Sequence, residues 1–264
     1  MAIDYVLSIG CEPQNTLGIG QLVDLNRTRI LARSALAHMR RDGDQRPANE
    51  IEIQLTMRKP EGDSGRGVTL QHLLDESAPL DQVSSQCQRC PAGYPREFAC
   101  HRRIRYPIPE RVEAWLMARL PTKLGCTAGS LLVRGLHDFG WTGAPTAKLR
   151  AAGTTYFESR VPYGVRWDGD GHDGTIEISS DQLFQMMFLV GPLSPTHSLM
   201  MALFLGVIPH DTSLYDLKDR EALSTLLDPS AVAVEADPEI EQLAAFLRTL
   251  AIAARIEVPI MIDG

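Results

Sequence analysis

The longest stretch without a charged residue is the strongest constraint on the fold. Residues 182–210, QLFQMMFLVGPLSPTHSLMMALFLGVIPH, contain no Lys, Arg, Asp or Glu over 29 positions. Such a run is long enough to span a bilayer, but GPLSP at 191–195 divides it into halves of about ten apolar residues, too short to cross. Ser194 followed by Pro195 is typical of a helix N-cap with proline at the first helical position. We therefore expect two buried core helices and no stable membrane insertion.

The rest of the chain alternates between strand-like and helix-like patterns. Alternating apolar and polar residues predict strands at 3–9 and 51–58 and a β-hairpin at 157–179. Apolar residues at helical spacing predict a long helix at 25–41 and a strong one after Asp237. This order favours an α+β fold, with a mixed sheet (an N-terminal strand pair plus a central β-hairpin) packed with several helices.

The predicted domain organisation is simple. We expect one α+β domain over residues 1–264, in which a metal ion holds together a cysteine loop at 84–108. The alternative is a subdivision of the chain near residue 153. Two glycine-rich segments, EGDSGRG at 61–67 and DGDGHDG at 168–174, predict polar turns. The second resembles a calcium loop, but it lacks the glycine and glutamate that an EF-hand places at its sixth and twelfth positions.

Charge is distributed unevenly along the chain. Formal net charge is −7, yet residues 1–208 carry 22 Lys/Arg and 22 Asp/Glu, whereas residues 209–264 carry 4 and 11. The whole negative excess therefore lies in the last 56 residues. This predicts a solvated helical face, with an acidic docking surface for a partner as the alternative.

The N-terminus and the cysteine usage bear on the compartment. Asp4 occupies a position where a secretory signal would carry Lys or Arg, and the segment alternates like a strand. Five cysteines are an odd number, which does not favour a disulfide framework. We therefore expect a reducing, cytoplasmic location.

Three of the five cysteines fall within CQRCPAGYPREFACHRR at 87–103. Cys87 and Cys90 have the C-x2-C spacing that brings two sulfurs to one ion, and Cys100 follows after a loop rich in proline and glycine. Three thiolates predict a bound metal, with free structural or redox-active cysteines as the alternative. The fourth ligand is Cys11, Cys126 or His101, in that order. Soft thiolates favour zinc, with an iron–sulfur cluster as the second choice.

Basic residues surround these cysteines. A positive charge beside a thiol lowers its pKa and favours the thiolate. The same charges at Arg102, Arg103 and Arg105 could instead bind phosphates, although a pI near 5.5 makes nucleic acid the less favoured partner. The full set is Arg89, Arg96, Arg102, Arg103 and Arg105.

Common catalytic signatures are absent from the sequence. It contains no H-x-E with P-C-x-x-C, no H-E-x-x-H, no G-x-S-x-G, and neither a dinucleotide nor a phosphate loop. The sequence therefore predicts a non-catalytic intracellular protein with a structural zinc ion that acts through contact with an unknown protein partner. The alternatives are a nucleic-acid-binding protein that uses the arginine-rich cysteine loop, and an iron–sulfur or zinc enzyme of unrecognised type.

Overall fold

The computed structural model describes residues 2–59, 62–168 and 175–263, and its α+β fold confirms the predicted fold class. The chain divides into two compact units. The smaller unit is Ile9–His101, and the larger unit joins Met1–Ser8 to Arg102–Gly264. The single domain over residues 1–264 and the subdivision near residue 153 stay predictions.

The described residues form helices and three small antiparallel sheets. The helices are α1 (Glu12–Leu17), α2 (Ile19–Arg41), α3 (Leu70–Glu76), α4 (Pro79–Ser84), α5 (Glu110–Met117), α6 (Thr127–Asp138), α7 (Ala144–Ala151), α8 (Ser180–Phe188), α9 (Pro195–Phe204), α10 (Arg220–Leu226) and α11 (Pro238–Arg255). The strands are β1 (Ala2–Leu7), β2 (Glu52–Lys59), β3 (Gly62–Thr69), β4 (His101–Arg105), β5 (Gly164–Asp168), β6 (Thr175–Ser179) and β7 (Ile260–Asp263). Short 3-10 helices occupy Ala48–Glu50, Ser85–Arg89 and Pro229–Ala231.

The smaller unit contains a β-hairpin in which β2 pairs with β3. The segment at 61–67 was predicted to be a turn, but Gly62–Thr69 is a strand. The physical reason lies in the side chains of β2. A Cβ atom at Gly67 would collide with the side chain of Glu52, so glycine here makes room for the neighbouring strand.

Two apolar clusters hold the smaller unit together. The first joins the hairpin to α2 and α3 through Ala32, Ile51, Val68, Leu70 and Leu73. The second joins α2 to α4 and to the chain that precedes β4, through Leu22, Leu80, Val83 and Phe98. Because Cys87 packs against this second cluster, the cluster fixes the position of the cysteine-rich segment.

The larger unit contains a three-stranded sheet in the order β4-β1-β7. The uncharged run forms α8 and α9, as predicted, and the Ser194 hydroxyl caps α9 by accepting the His197 N–H at 3.1 Å. Their inward residues, such as Met186 and Met201, are fully buried, and α9 packs against α11. None of the helices in the described ranges combines the length and the apolar character that a bilayer crossing requires.

The predicted hairpin of the larger unit is present, although shorter than expected. Strands β5 and β6 pair antiparallel with Val165 opposite Ile178. The strand begins at Gly164 rather than at residue 157. The predicted polar turn at 168–174 lies, beyond Asp168, outside the described residues.

Candidate functional site

Four of the five cysteines line one pocket in the smaller unit. They are Cys11, Cys87, Cys90 and Cys100. The pocket is small, with an enclosed space of about 10 Å³, which is room for roughly one water molecule. The remaining walls are Pro13, Leu22, Gln86, Arg96, Phe98 and Ala99. Cysteines almost ninety positions apart in the sequence therefore meet in one place.

Cys87 and Cys90 are positioned by a single turn of 3-10 helix. This helix, Ser85–Arg89, continues directly from α4, and Cys90 is its C-cap. The Cys90 N–H donates to the Cys87 carbonyl at 3.1 Å. Residues three apart in a 3-10 helix lie above one another, about 6 Å apart at a rise of about 2 Å per residue. This places the two thiols on the same side of the turn.

Phe98 holds the returning loop against Cys87. Its ring is buried in the cluster with Leu22 and Leu80, while its backbone has φ of 54°, in the left-handed region. A bulky residue rarely adopts this conformation, which costs about 1–3 kcal/mol and persists only where the surroundings impose it. In this conformation the Phe98 N–H donates to the Cys87 Sγ at 3.5 Å.

Gln14 connects Cys100 to the start of the unit. Its side chain is buried in α1. The Oε1 atom accepts the N–H groups of Ile9 and Gly10 at 2.8 and 2.9 Å, and Nε2 donates to the Cys100 Sγ at 3.9 Å. Cys11 itself is the N-cap of α1, so one short helix presents both Cys11 and the amide that contacts Cys100.

Burial makes two of the four thiols weak acids. It raises the pKa of Cys100 to about 12, with a further increase from the negative charge that Cys11, Cys90 and Cys87 carry when ionised. Burial also raises the pKa of Cys87, and the Phe98 N–H partly offsets this increase. Cys87 and Cys100 are therefore neutral thiols near neutral pH.

The predicted function of a structural zinc protein is wrong. Within residues 2–59, 62–168 and 175–263, no group of His, Cys, Asp or Glu is arranged so that it could hold a metal ion. The same finding removes the support for a zinc or iron–sulfur enzyme.

The other two residues considered as ligands have different roles. Cys126 lies in the larger unit and caps α6, where its Sγ accepts the Gly129 N–H at 3.3 Å and lies 3.2 Å from the Lys123 carbonyl. His101 is buried outside the pocket lining, and its Nδ1 lies 2.9 Å from the Asn26 Nδ2. Neither residue joins the four-cysteine pocket.

The arginines do not act as one cluster. Arg96 lines the pocket, whereas Arg102, Arg103 and Arg105 belong to β4 in the larger unit. Arg103 is committed to an ion pair with the buried Asp4 at 3.4 Å. The nucleic-acid alternative, which uses Arg102, Arg103 and Arg105, stays a prediction.

No family model, curated protein or solved structure matches this chain.

Sequence reasoning did not foresee the roles of Gln86 and Phe98, which line the pocket, or of Gln14, whose side-chain amide contacts Cys100. Glu12 followed by Pro13 is a signal for the start of α1, and it could have placed Gln14 on a helix. Nothing in the sequence indicates the left-handed backbone of Phe98. Gln86 lines the pocket and its Oε1 is buried, with no hydrogen-bond partner among the described residues.

A second group of buried polar residues lies in the larger unit. Arg150 of α7 donates to both carboxylate oxygens of Glu113 at 3.0 and 2.6 Å and to Asp181 at 2.8 and 2.9 Å. The Ser180 hydroxyl donates to Glu113 at 2.6 Å. These contacts link α5, α7 and α8. Because the donors of Arg150 are already bonded to protein acceptors, the cluster offers no site for a ligand.

Proposed function

We propose that this chain is a thiol–disulfide redox protein whose reacting pair is Cys87 and Cys90. The observation that carries the proposal is the convergence of four free cysteines on one pocket. A single buried cysteine is ordinary core filling. Four that converge from α1, a 3-10 turn and a strained loop supply both an attacking thiol and a thiol to complete a disulfide.

The geometry of the 3-10 turn suits a disulfide between Cys87 and Cys90. Their Cα atoms are one turn apart, about 6 Å from the 3-10 rise. This falls within the range of about 4.4–6.8 Å that disulfides span. The bond therefore forms with little backbone movement, and each of the two thiols is partly accessible.

The proposed reaction is a two-step exchange. The thiolate of Cys90 attacks one sulfur of a disulfide oxidant, forms a mixed disulfide and releases one thiolate, which takes up a proton. Cys87 then loses its proton, attacks the Cys90 sulfur and releases the second thiol. The protein loses two electrons and two protons, and the oxidant is reduced to two thiols.

The partner and the compartment follow from this chemistry. A dithiol protein that reduces the Cys87–Cys90 disulfide is the protein partner that we propose, and nucleic acid is less favoured. All five cysteines are free, which supports a reducing compartment such as the cytoplasm. The acidic residues at 209–264 are a candidate docking surface for that partner.

The test is a redox titration of the untagged protein in mixtures of reduced and oxidised dithiothreitol, with peptide mapping by mass spectrometry. We expect one reversible two-electron transition that joins Cys87 to Cys90. Substitution of either cysteine by serine should abolish the transition, whereas the control Cys126→Ser should preserve it.

Three results would contradict the proposal. They are the absence of a disulfide at any potential, a disulfide that excludes both Cys87 and Cys90, and protein that retains stoichiometric metal on these cysteines. Zinc or an iron–sulfur cluster as a cofactor stays a prediction from the sequence, and elemental analysis of the same sample checks it.

A further inference from the structure

We propose that the backbone N–H of Phe98 is a catalytic group of the thiol–disulfide exchange, because it stabilises the negative charge of the Cys87 sulfur when that sulfur attacks or leaves. The reducing partner then attacks the Cys90 sulfur and displaces Cys87. This inference rests on the proposed redox function and assigns which of the two sulfurs the partner contacts. It depends on one hydrogen bond and on a difference between the two sulfurs.

The Phe98 N–H is held against the Cys87 sulfur by packing. It donates to the Cys87 Sγ at 3.5 Å, and the backbone at this residue has φ of 54°. The Phe98 ring is buried with Leu80 and Val83, and Cys87 packs against the same cluster. Because the ring cannot leave the cluster without exposing apolar surface, the N–H is already in place when charge develops on the sulfur.

A hydrogen bond of this kind favours the charged form of the sulfur. A bond to an ionised acceptor is roughly twice as strong as one to a neutral acceptor, so the N–H stabilises the Cys87 thiolate more than the thiol. Burial raises the pKa of Cys87, and the Phe98 N–H lowers it. Negative charge on Cys11, Cys90 and Glu97 raises it further. The N–H therefore opposes every other influence on this thiol that raises its pKa.

The Cys90 sulfur does not have such a donor. Within the described part of the chain, no group donates a hydrogen bond to the Cys90 Sγ. The N–H of Cys90 itself donates to the Cys87 carbonyl at 3.1 Å, so it is engaged away from both sulfurs. Both thiols are partly accessible, and access alone does not distinguish them. The hydrogen bond does, because a thiol whose thiolate is stabilised leaves faster from a disulfide.

Both directions of the exchange then pass through a mixed disulfide on Cys90. In oxidation, the Cys87 thiolate forms beside the Phe98 N–H and displaces the second thiol from Cys90. In reduction, a thiolate of the partner bonds to the Cys90 sulfur, the bond between Cys87 and Cys90 breaks, and Cys87 leaves as a thiolate that takes up a proton. The second partner thiol then attacks the mixed disulfide and releases Cys90. The partner loses two electrons and two protons, and the protein gains them.

The first test identifies the attacked sulfur in the wild-type chain. Protein oxidised to the Cys87–Cys90 disulfide is mixed with excess mercaptoethanol and quenched with acid at the earliest times, and the mixed disulfides are mapped by mass spectrometry. We expect the adduct on Cys90 to exceed that on Cys87 about tenfold, the effect of one hydrogen bond to a charged group. Equal adducts, or an excess on Cys87, would overturn the inference.

The second test removes the donor and keeps the side chain. Phenyllactic acid incorporated at position 98 by nonsense suppression replaces the Phe98 N–H with an ester oxygen. We expect the rate constant of reduction to fall about tenfold and the two adducts to become nearly equal. The matched control is glycolic acid at position 93, because the Gly93 N–H donates to the Cys90 carbonyl at 2.9 Å and contacts neither sulfur. This control should behave as the wild type does.

The outcomes distinguish this inference from the proposed function. If no oxidant joins Cys87 to Cys90, the proposed function fails and the inference fails with it. If the disulfide forms reversibly but mercaptoethanol does not prefer Cys90, or if the esters at positions 98 and 93 have equal effects, the redox function stands and the role of the Phe98 N–H is wrong. If the ester at position 98 prevents folding, the ratio of adducts in the wild type decides.

Discussion

At the scale of single residues, Phe98 shows how a buried side chain can impose an unfavourable backbone. Its ring is almost completely buried with Leu80 and Val83, and its φ is positive. Burial of an aromatic ring stabilises the fold by several kcal/mol, more than the strain costs. The consequence for the pocket is the N–H that points to the Cys87 sulfur.

Two substitutions at Phe98 separate packing from strain. We expect Phe98→Ala to lower the free energy of unfolding by about 3–5 kcal/mol through loss of the ring. Phe98→Gly loses the same ring but relieves the positive φ, so it should be more stable than Phe98→Ala by about 1 kcal/mol. Urea denaturation of both variants is the measurement. A glycine variant clearly less stable than the alanine variant would show that the backbone here is not left-handed.

Because Cys100 ionises less readily in the folded protein than in the unfolded chain, the free energy of unfolding should fall at alkaline pH. Its pKa is raised from an ordinary value of 9.0 to about 12 in the folded protein, so its contribution is fully present below pH 9 and is lost as pH rises from 9 towards 12. Over that range we expect the wild type to lose more unfolding free energy than Cys100→Ala, by at most about 1.4 kcal/mol per pH unit. Urea midpoints at pH 8 and pH 10.5 measure this. Parallel losses in the two proteins would show that Cys100 ionises normally.

At the scale of secondary-structure elements, one buried arginine connects three helices of the larger unit. Arg150 of α7 is 3% exposed, and it contacts the fully buried Glu113 of α5 and Asp181 of α8. A buried set of paired charges adds little net stability to the folded protein. If one partner is removed, however, the others remain as unpaired charges in the core. These contacts set the relative positions of the three helices.

Replacement of Arg150 should destabilise the folded protein. We expect Arg150→Met to lower the free energy of unfolding by about 3–5 kcal/mol, because Glu113 and Asp181 then lose their buried partner. The matched control is Arg166→Gln, which breaks the exposed 3.0 Å pair with Glu177 and should cost less than about 1 kcal/mol. Chemical denaturation compares the two variants. Equal losses would indicate that the buried group does not hold these helices.

At the scale of the whole molecule, the four-cysteine pocket and the acidic residues at 209–264 belong to different units. All four pocket cysteines belong to Ile9–His101, whereas residues 209–264 belong to the larger unit. A disulfide between Cys87 and Cys90 constrains the chain around the 3-10 turn that carries them. The disulfide should therefore suppress local unfolding within the smaller unit and leave the larger unit unaffected.

Hydrogen exchange followed by mass spectrometry tests this expectation. Oxidation should slow exchange in peptides from α4, Ser85–Arg89 and residues 90–101, and leave peptides of α9 and α11 unchanged. Cys90→Ser, which lacks the attacking thiol, is the control when treated with the same oxidant and should show no difference between the two states. Slower exchange throughout the larger unit would contradict the confinement of the effect to one unit.

The sequence by itself determined much of the local structure. Periodicity located β1, β2 and α11, and Ser194 with Pro195 marked the start of α9, because these signals depend only on neighbouring residues. It also singled out the cysteine segment, beside which the structure places Cys11 and not Cys126; the ranking of Cys11 as a fourth metal ligand stays a prediction.

Only the tertiary structure decided which elements pair and what the cysteines can do. The glycine-rich β3 forms a strand because β2 supplies its hydrogen-bonding partner, and β1 pairs with β7 from the far end of the chain. The chemistry of the cysteines also depends on the tertiary structure. The C-x2-C spacing is equally compatible with a metal ligand and with a thiol pair, because both need two sulfurs on one side of a turn. Burial of Cys100, which raises its pKa to about 12, and the absence of a metal-holding group among the described residues are products of packing, and no local pattern encodes them.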